Sequence, residues 1–332
     1  DDPEQALTAL HYAKRAQSLR IAVAELDRRG GDDPAEALLA ELAEVLLDEC
    51  LALSLQLVAE RHGSLGPPGL ALIGYGSLGA RDMNYRSDLD VVFLYPATGA
   101  ESDGPRPLTE EQYYTRLTRR LLALTTTLSP SGRLYEVDTR LRPNGRAGLL
   151  VSSLSAFERY QRESAWTWEL QALARARPVA GDAEVGERFS AIRAAVLTAT
   201  RDAAKITAEV AEMRQRMRDA DGERDRFKHV AGGLTDIDFV AQLGVLLCAA
   251  DAPEVIASTT TRAQLRSLAG AGWITPEEAG LLADTHGALT RARHLDTLCR
   301  GGTTDTPDTA ASAALCERIL GHGSNATPEA LE

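Results

Sequence analysis

Asp88 and Asp90 stand one residue apart at the head of the apolar run Val91-Val92-Phe93-Leu94-Tyr95, and Gly76-Ser77 precedes them in the chain. On a strand alternate side chains share a face, so the two carboxylates point together while Leu89 and Val91 point the other way. Converging carboxylates repel unless a cation sits between them, and hard oxygen ligands suit Mg²⁺, with Mn²⁺ as the alternative. That chemistry is metal-assisted phosphoryl or nucleotidyl transfer. A second acidic segment, Leu134 to Pro143, reads as another strand, 133–141, with Glu136, Asp138, Arg140 and Arg142 alternating onto one face. If the strands are neighbours, Asp138 joins Asp88 and Asp90 around the cation, and Arg140 and Arg142 contact a polyphosphate.

Each piece alone has a plainer reading. An isolated Asp-x-Asp is more often a solvated strand end, and Arg-Leu-Arg before a proline is an ordinary polar terminus. The combination with Gly-Ser after an apolar strand is what favours a site. Gly74-Tyr75-Gly76-Ser77-Leu78-Gly79 also fits the G-x-G-x-x-G pattern of dinucleotide-binding folds. That pattern needs a full helix after the glycines and an acid at the far end of the second strand. Here the next strand follows almost at once and carries its acids at its beginning, so the reading fails.

The elements that must position these residues follow from periodicity and punctuation. Asp2-Pro3 and Asp33-Pro34 each place a cap before a proline at the first helical position, with apolar-periodic runs to about Arg29 and Arg61. A loop over 61–69 leads to a strand at 70–74, a glycine turn, a short helix and a strand at 89–95. Thr109 with Gln112, and Ser155 with Glu158, form capping boxes, and Ser129 to Gly132 is a turn. Gly148 to Val151 offers one more strand, and Ala165 to Arg177 a helix. Trp166 and Trp168 lie on it, and at least one is expected to pack. From Ala183 on every periodic segment is helical, including 202–219, 235–250 and 276–300. The fold class expected is α+β: a small mixed sheet with flanking helices over 1–180, then an all-α bundle over 181–332.

Lys228 precedes Gly232-Gly233 and a helix expected to be capped by Thr235, where backbone N–H groups meet an anion. It reads as a triphosphate contact or as a solvated lysine. Asp236 and Asp238 suit the positive end of that helix. The 36 Lys and Arg against 48 Asp and Glu give a net charge of -12, which disfavours binding to a nucleic-acid backbone. Cys50, Cys248, Cys299 and Cys316 lack metal-site spacing and read as neutral thiols of a reducing compartment. The longest apolar stretch, 239–250, is too short to span a bilayer, and with no signal peptide a cytoplasmic protein is expected.

Gly76-Ser77, Asp88-Leu89-Asp90 and the later strand acid resemble the DNA polymerase β type nucleotidyltransferase superfamily. More narrowly, Gly74 to Gly79, Tyr85 to Asp90, Glu136 to Pro143 and Ala165-Trp166-Thr167-Trp168-Glu169 resemble glutamine synthetase adenylyltransferase. Arg20-Ile21-Ala22 and Lys228 through Phe239 extend the likeness over most of the chain. Ser77 and Ala80 depart from it, replacing a lysine and a glycine common in that family. The family is bifunctional, with one half removing AMP from glutamine synthetase by phosphorolysis and the other adding it from ATP. Glu136-Val137-Asp138 and Ala165 to Glu169 look more like the adenylylating half, and 332 residues hold one copy of each motif.

The resemblance implies a polymerase β type domain in which ATP lies along the glycine turn, with Gly76 admitting the backbone closely and Ser77 holding phosphate. Asp88, Asp90 and Asp138 hold divalent cations and Asp138 accepts the proton of the attacking hydroxyl. Arg140, Arg142 and Lys228 meet the triphosphate. The implied partners are glutamine synthetase, through a tyrosine hydroxyl, and a PII signalling protein, in the regulation of nitrogen metabolism. The alternatives are the AMP-removing half, another transferase of the superfamily, or a silent regulatory module.

Overall fold

The computed structural model of the chain describes residues 3–27, 34–128, 132–219, 225–299 and 308–321. In chain order its elements are α1 (Pro3–Leu26), α2 (Ala35–His62), β1 (Ala71–Gly74), α3 (Gly76–Gly79), β2 (Leu89–Tyr95), α4 (Glu110–Thr126), β3 (Val137–Asp138), β4 (Val151–Ser153), α5 (Leu154–Glu163), α6 (Thr167–Ala174), β5 (Arg177–Gly181), α7 (Ala183–Leu197), α8 (Ala203–Asp219), α9 (Leu234–Cys248), α10 (Thr261–Gly270), α11 (Pro276–Cys299) and α12 (Ala310–Gly321). Two compact units result: Asp1–Ser164 with Ala176–Ile192, and Ala165–Arg175 with Arg193–Glu332.

The first unit is α+β around a five-stranded mixed sheet in the order β3-β2-β1-β5, with β4 also on β2. β1 pairs antiparallel with both β2 and β5, while β3 and β4 run parallel to β2. Both parallel partners share one edge of β2: Leu89 and Asp90 face Val137 and Asp138, and Phe93 to Tyr95 face Val151 to Ser153. The intervening residues, 139–150, leave the sheet. Leu89, Val91 and Phe93 are fully buried in a core shared with Leu39, Leu46, Leu47, Leu117 and Leu121 of α2 and α4. Asp90 therefore lies on the opposite face of β2, with Val92 and Leu94.

Local expectations met mixed outcomes. β2 spans the expected residues, and α1 opens at Pro3. Pro34 takes the N-cap of α2 instead of its first turn. The expected caps Asp2 and Asp33, the end of the first helix at Arg29 and most of the 129–132 turn lie outside the described residues. Thr109 is the N-cap of α4, but its hydroxyl makes no capping bond. Ser153, not Ser155, caps α5, accepting from the Ala156 N–H at 3.2 Å. The expected strand 133–141 shrinks to two residues, because the Asp138 carboxylate accepts the Arg140 N–H at 2.8 Å and turns the chain out of the sheet. Arg140 and Arg142 consequently do not share a strand face with Asp138. β5 carries Pro178 and was not expected; an edge position tolerates that proline.

The second unit is helical throughout among the described residues, with α9 buried along most of its length and α6, α8, α10, α11 and α12 in contact with it. Gly233, not Thr235, is the N-cap of α9. Trp166 is 69% exposed and Trp168 37%, so neither indole is fully buried, though Trp168 is mostly covered. The chain turns into α6 there, with the Glu169 carboxylate accepting the Trp166 N–H at 2.8 Å. The four thiols are free; burial raises Cys50 and Cys316 to about 12 and Cys248 to about 11, while Cys299 is exposed. No described helix is long and apolar enough to cross a membrane.

Candidate functional site

The β1–α3 turn and the head of β2 are held together by backbone: the Tyr75 N–H donates to the Asp90 carbonyl at 2.9 Å. Gly76 follows at φ +52°, a left-handed conformation that glycine adopts freely and a β-carbon disfavours. A β-carbon there would lie 2.2 Å from Oδ2 of Asp90. Gly76 is thus the surface against which the Asp90 carboxylate rests. The hydroxyl of half-buried Ser77, next along the turn, has no hydrogen-bond partner among the described residues.

Asp138 reaches the same place by parallel pairing. The Leu89 N–H donates to the Glu136 carbonyl at 2.9 Å, and Asp90 and Asp138 come into register, so their side chains leave the same face of adjacent strands. Asp88, one step before β2, is exposed. Arg140 pairs with Asp138: its Nε donates to Oδ2 of Asp138 at 2.6 Å and its Nη2 pairs with the same oxygen, while Asp90 and Asp88 add more weakly to the field. The hydrogen bond that Arg140 donates to Asp138, then the charge of Asp138, raise the already high guanidinium pKa. Asp90, Asp138 and Arg140, all from the first unit, therefore lie together at the head of β2, with Asp88 one step before them.

Arg142 is used differently from the sequence expectation. Its Nη1 donates to the carbonyl and hydroxyl of Thr139 at 2.6 and 2.8 Å, and its Nε to the Gly148 carbonyl at 3.3 Å. It closes the 139–150 excursion from inside. Gly148 is required there, since a β-carbon would lie 2.0 Å from the Pro143 carbonyl oxygen.

Lys228 belongs to the second unit and is half-buried, not solvated. Burial, then Arg293, lower its pKa against the pull of Asp225 and Asp238. The glycine pair beyond it meets the chain's own anion: the Gly232 N–H donates to Oδ2 of Asp236 at 2.8 Å. Asp236 and Asp238 do far more than complement a helix end. Asp236 also binds Arg214 and Arg218, which share Glu317. Asp238 binds Arg175 and accepts the Thr261 hydroxyl at 2.6 Å. The i, i+4 pair Arg214 and Arg218 was the sequence signal for such a network, but its acids lie on other helices.

The donor set suits a divalent cation: three carboxylates, no sulfur and no imidazole, on hydrogen-bonded backbone. A family model described as glutamate-ammonia ligase adenylyltransferase matches residues 1–230. A second, described as GlnD PII-uridylyltransferase, matches residues 204–331. Among curated proteins, relatives named bifunctional glutamine synthetase adenylyltransferase/adenylyl-removing enzyme are similar. The one from Pseudomonas putida is 40% identical over 322 residues, covering 90% of this chain and 33% of that protein. Those from Xanthomonas axonopodis pv. citri and Methylococcus capsulatus are 42% and 44% identical, covering 88% and 81% of this chain and 32% and 30% of theirs. The chain spans about a third of the length of these relatives. With an adenylyltransferase family model running through the glycine turn and all three acids, the chain belongs to the glutamate-ammonia ligase adenylyltransferase family.

Proposed function

We propose that the chain adenylylates glutamine synthetase, moving AMP from ATP to a tyrosine hydroxyl with release of pyrophosphate. The observation that carries the reading is the register of Asp90 with Asp138 beside Gly76. It sets two acids from separate segments on one face, against a turn open to a nucleotide. The relatives' names support the acceptor. Glu136-Val137-Asp138, which resembles the adenylylating half, supports the direction of transfer.

Asp88, Asp90 and Asp138 would hold Mg²⁺ or Mn²⁺, which supplies charge neutralisation to the triphosphate and acidity to the attacking hydroxyl. The Ser77 hydroxyl and the backbone of the Gly76 turn hold the phosphates. Asp138 receives the tyrosine proton as its oxygen attacks the α-phosphorus and the bond to the pyrophosphate oxygen breaks. Arg140, freed from Asp138, offsets charge on the departing pyrophosphate. Arg142 keeps the excursion that presents Arg140 in shape. The reaction fits a cytoplasmic ATP pool, and a PII protein is its proposed regulator.

The test is incubation of the chain with glutamine synthetase, Mg²⁺ and ATP labelled at the α-phosphate. Label on the synthetase is expected. No label, together with ADP release from adenylylated synthetase and phosphate, would transfer the reading to AMP removal.

A further inference from the structure

Along the outer faces of α2 and α4 runs a groove of about 1000 Å³. Arg61, Arg116, Arg119 and Arg120 line it, all exposed. None of the four has a hydrogen-bond or ion-pair partner among the described residues. Elsewhere in the same unit Arg133, Arg140, Arg162 and Arg177 are each paired with a carboxylate. Four unpaired guanidiniums together are notable in a chain of net charge -12. Glu60 and Glu111 also line the groove, leaving it with a local excess of positive charge. The remaining lining is mixed: His62, Gln112 and Thr115 are polar, and Leu57, Val58, Ala123 and Leu149 are apolar, the last 62% exposed.

A cationic rim over a lining of mixed polar and apolar groups suits a chain segment carrying carboxylates beside an apolar side chain. The groove is at the upper limit for a small-molecule pocket, and its rim is exposed along its length. Arginine's forked guanidinium binds carboxylates in pairs and is enriched at protein interfaces. Leu149 also lies in the excursion that begins just after Asp138 and contains Arg140, so the groove and the candidate site share one segment of chain.

We infer that this groove docks an acidic segment of the protein that receives AMP, and so raises the local concentration of the acceptor at the site. The inference rests on the adenylylation reading for the identity of that protein. Exposed charge contacts of this kind set encounter and orientation more than chemistry. Neutralising them should therefore act on acceptor KM.

The experiment compares wild-type chain with Arg116→Gln/Arg119→Gln/Arg120→Gln and with Arg266→Gln/Arg291→Gln, an exposed control pair in the other unit. Each exposed contact is worth roughly a factor of two, so the triple variant should raise KM for glutamine synthetase about eightfold. KM for ATP should stay put, and the control should match wild type. Raising salt from about 50 to about 300 mM should weaken wild type toward the triple variant and leave the variant nearly unchanged. An unchanged acceptor KM, or an equal rise in the control, overturns the inference. So does competition by a single-stranded oligonucleotide or by tripolyphosphate for the groove with no effect of the variant on the synthetase. If wild type transfers no AMP, the adenylylation reading has failed on its own. Direct binding of fluorescent glutamine synthetase then decides the groove: binding lost in the triple variant upholds it, and no binding to wild type overturns it.

Discussion

Gly76→Ala adds one carbon and tests how the site is assembled. Two costs can be worked out. At φ +52° a β-carbon strains the backbone by about 1–2 kcal/mol. The new carbon would also lie 2.2 Å from Oδ2 of Asp90, and real contacts of this kind do not fall under 3.0 Å. The carboxylate must withdraw by the difference, or the turn must move with it. Asp90 cannot retreat far, because its carbonyl holds the Tyr75 N–H and its strand is pinned by Val91 and Phe93.

The global effect should be small and the chemical one large. A loss of about 1–2 kcal/mol corresponds to a drop in Tm of roughly 3–8 °C for a unit of this size. A misplacement approaching 1 Å in a ligating or positioning group costs about 10²-fold in turnover. The assay pairs AMP transfer from α-labelled ATP with Mn²⁺ titration and thermal melting on the same preparation. A folded variant within twofold of wild type in turnover and Mn²⁺ affinity would refute the claim that Gly76 and Asp90 form one device. Parallel losses in melting and turnover would reduce Gly76 to a folding role.

Asp88→Asn and Asp90→Asn should each abolish AMP transfer with the melting temperature kept within a few degrees, since an amide holds hard cations poorly; near wild-type turnover in either would sink the metal assignment. Arg140→Ala should raise KM for ATP and, by releasing Asp138 from its internal counter-ion, tighten Mn²⁺ binding; weaker Mn²⁺ binding would contradict the geometry. Burial lowers Lys14 to about 8, so the unfolded chain binds more protons between about pH 8 and 10.5, and this residue makes stability climb with pH there. Lys14→Met should therefore stabilise at pH 7 by about 1 kcal/mol, after the lost bond to the Leu134 carbonyl and the contact over Tyr135, with the gain fading by pH 10.5 in urea melts. Asp236→Asn leaves Arg214, 5% exposed, with only the exposed Glu317 as charge partner and should cost about 3 kcal/mol in the second unit, seen as early unfolding in urea.

What could be read from sequence was what local rules control. β2 is legible because acids bound an apolar run at one end and Pro96 at the other, and α8, α9 and α11 because their periodicity is long. β3 was overdrawn because alternation alone cannot see Asp138 capturing the Arg140 N–H. β5 stayed hidden behind Pro178, which only an edge position excuses. The placing of Asp138 beside Asp90 could be anticipated from residue types, yet its cause, the parallel pairing of Leu89 with Val137, is tertiary. Arg214 and Asp236 lie 22 residues apart on two helices, and no spacing rule joins them. Burial alone would raise the Asp236 carboxyl; hydrogen bonds from Arg214 and the Gly232 N–H outweigh that and hold it below the usual range.

The two ionic centres of the molecule are built for opposite purposes, and burial separates them. Around Asp236 the partners are buried and the contacts multiple, so charge there is locked in place at the cost of desolvation. Around Asp138 the arginine is 63% exposed and comes from two residues away. Solvent screens such an exposed pair, so it holds weakly. On the proposed reading it is weak enough for a divalent cation and a triphosphate to displace, where a buried arginine would hold Asp138 shut.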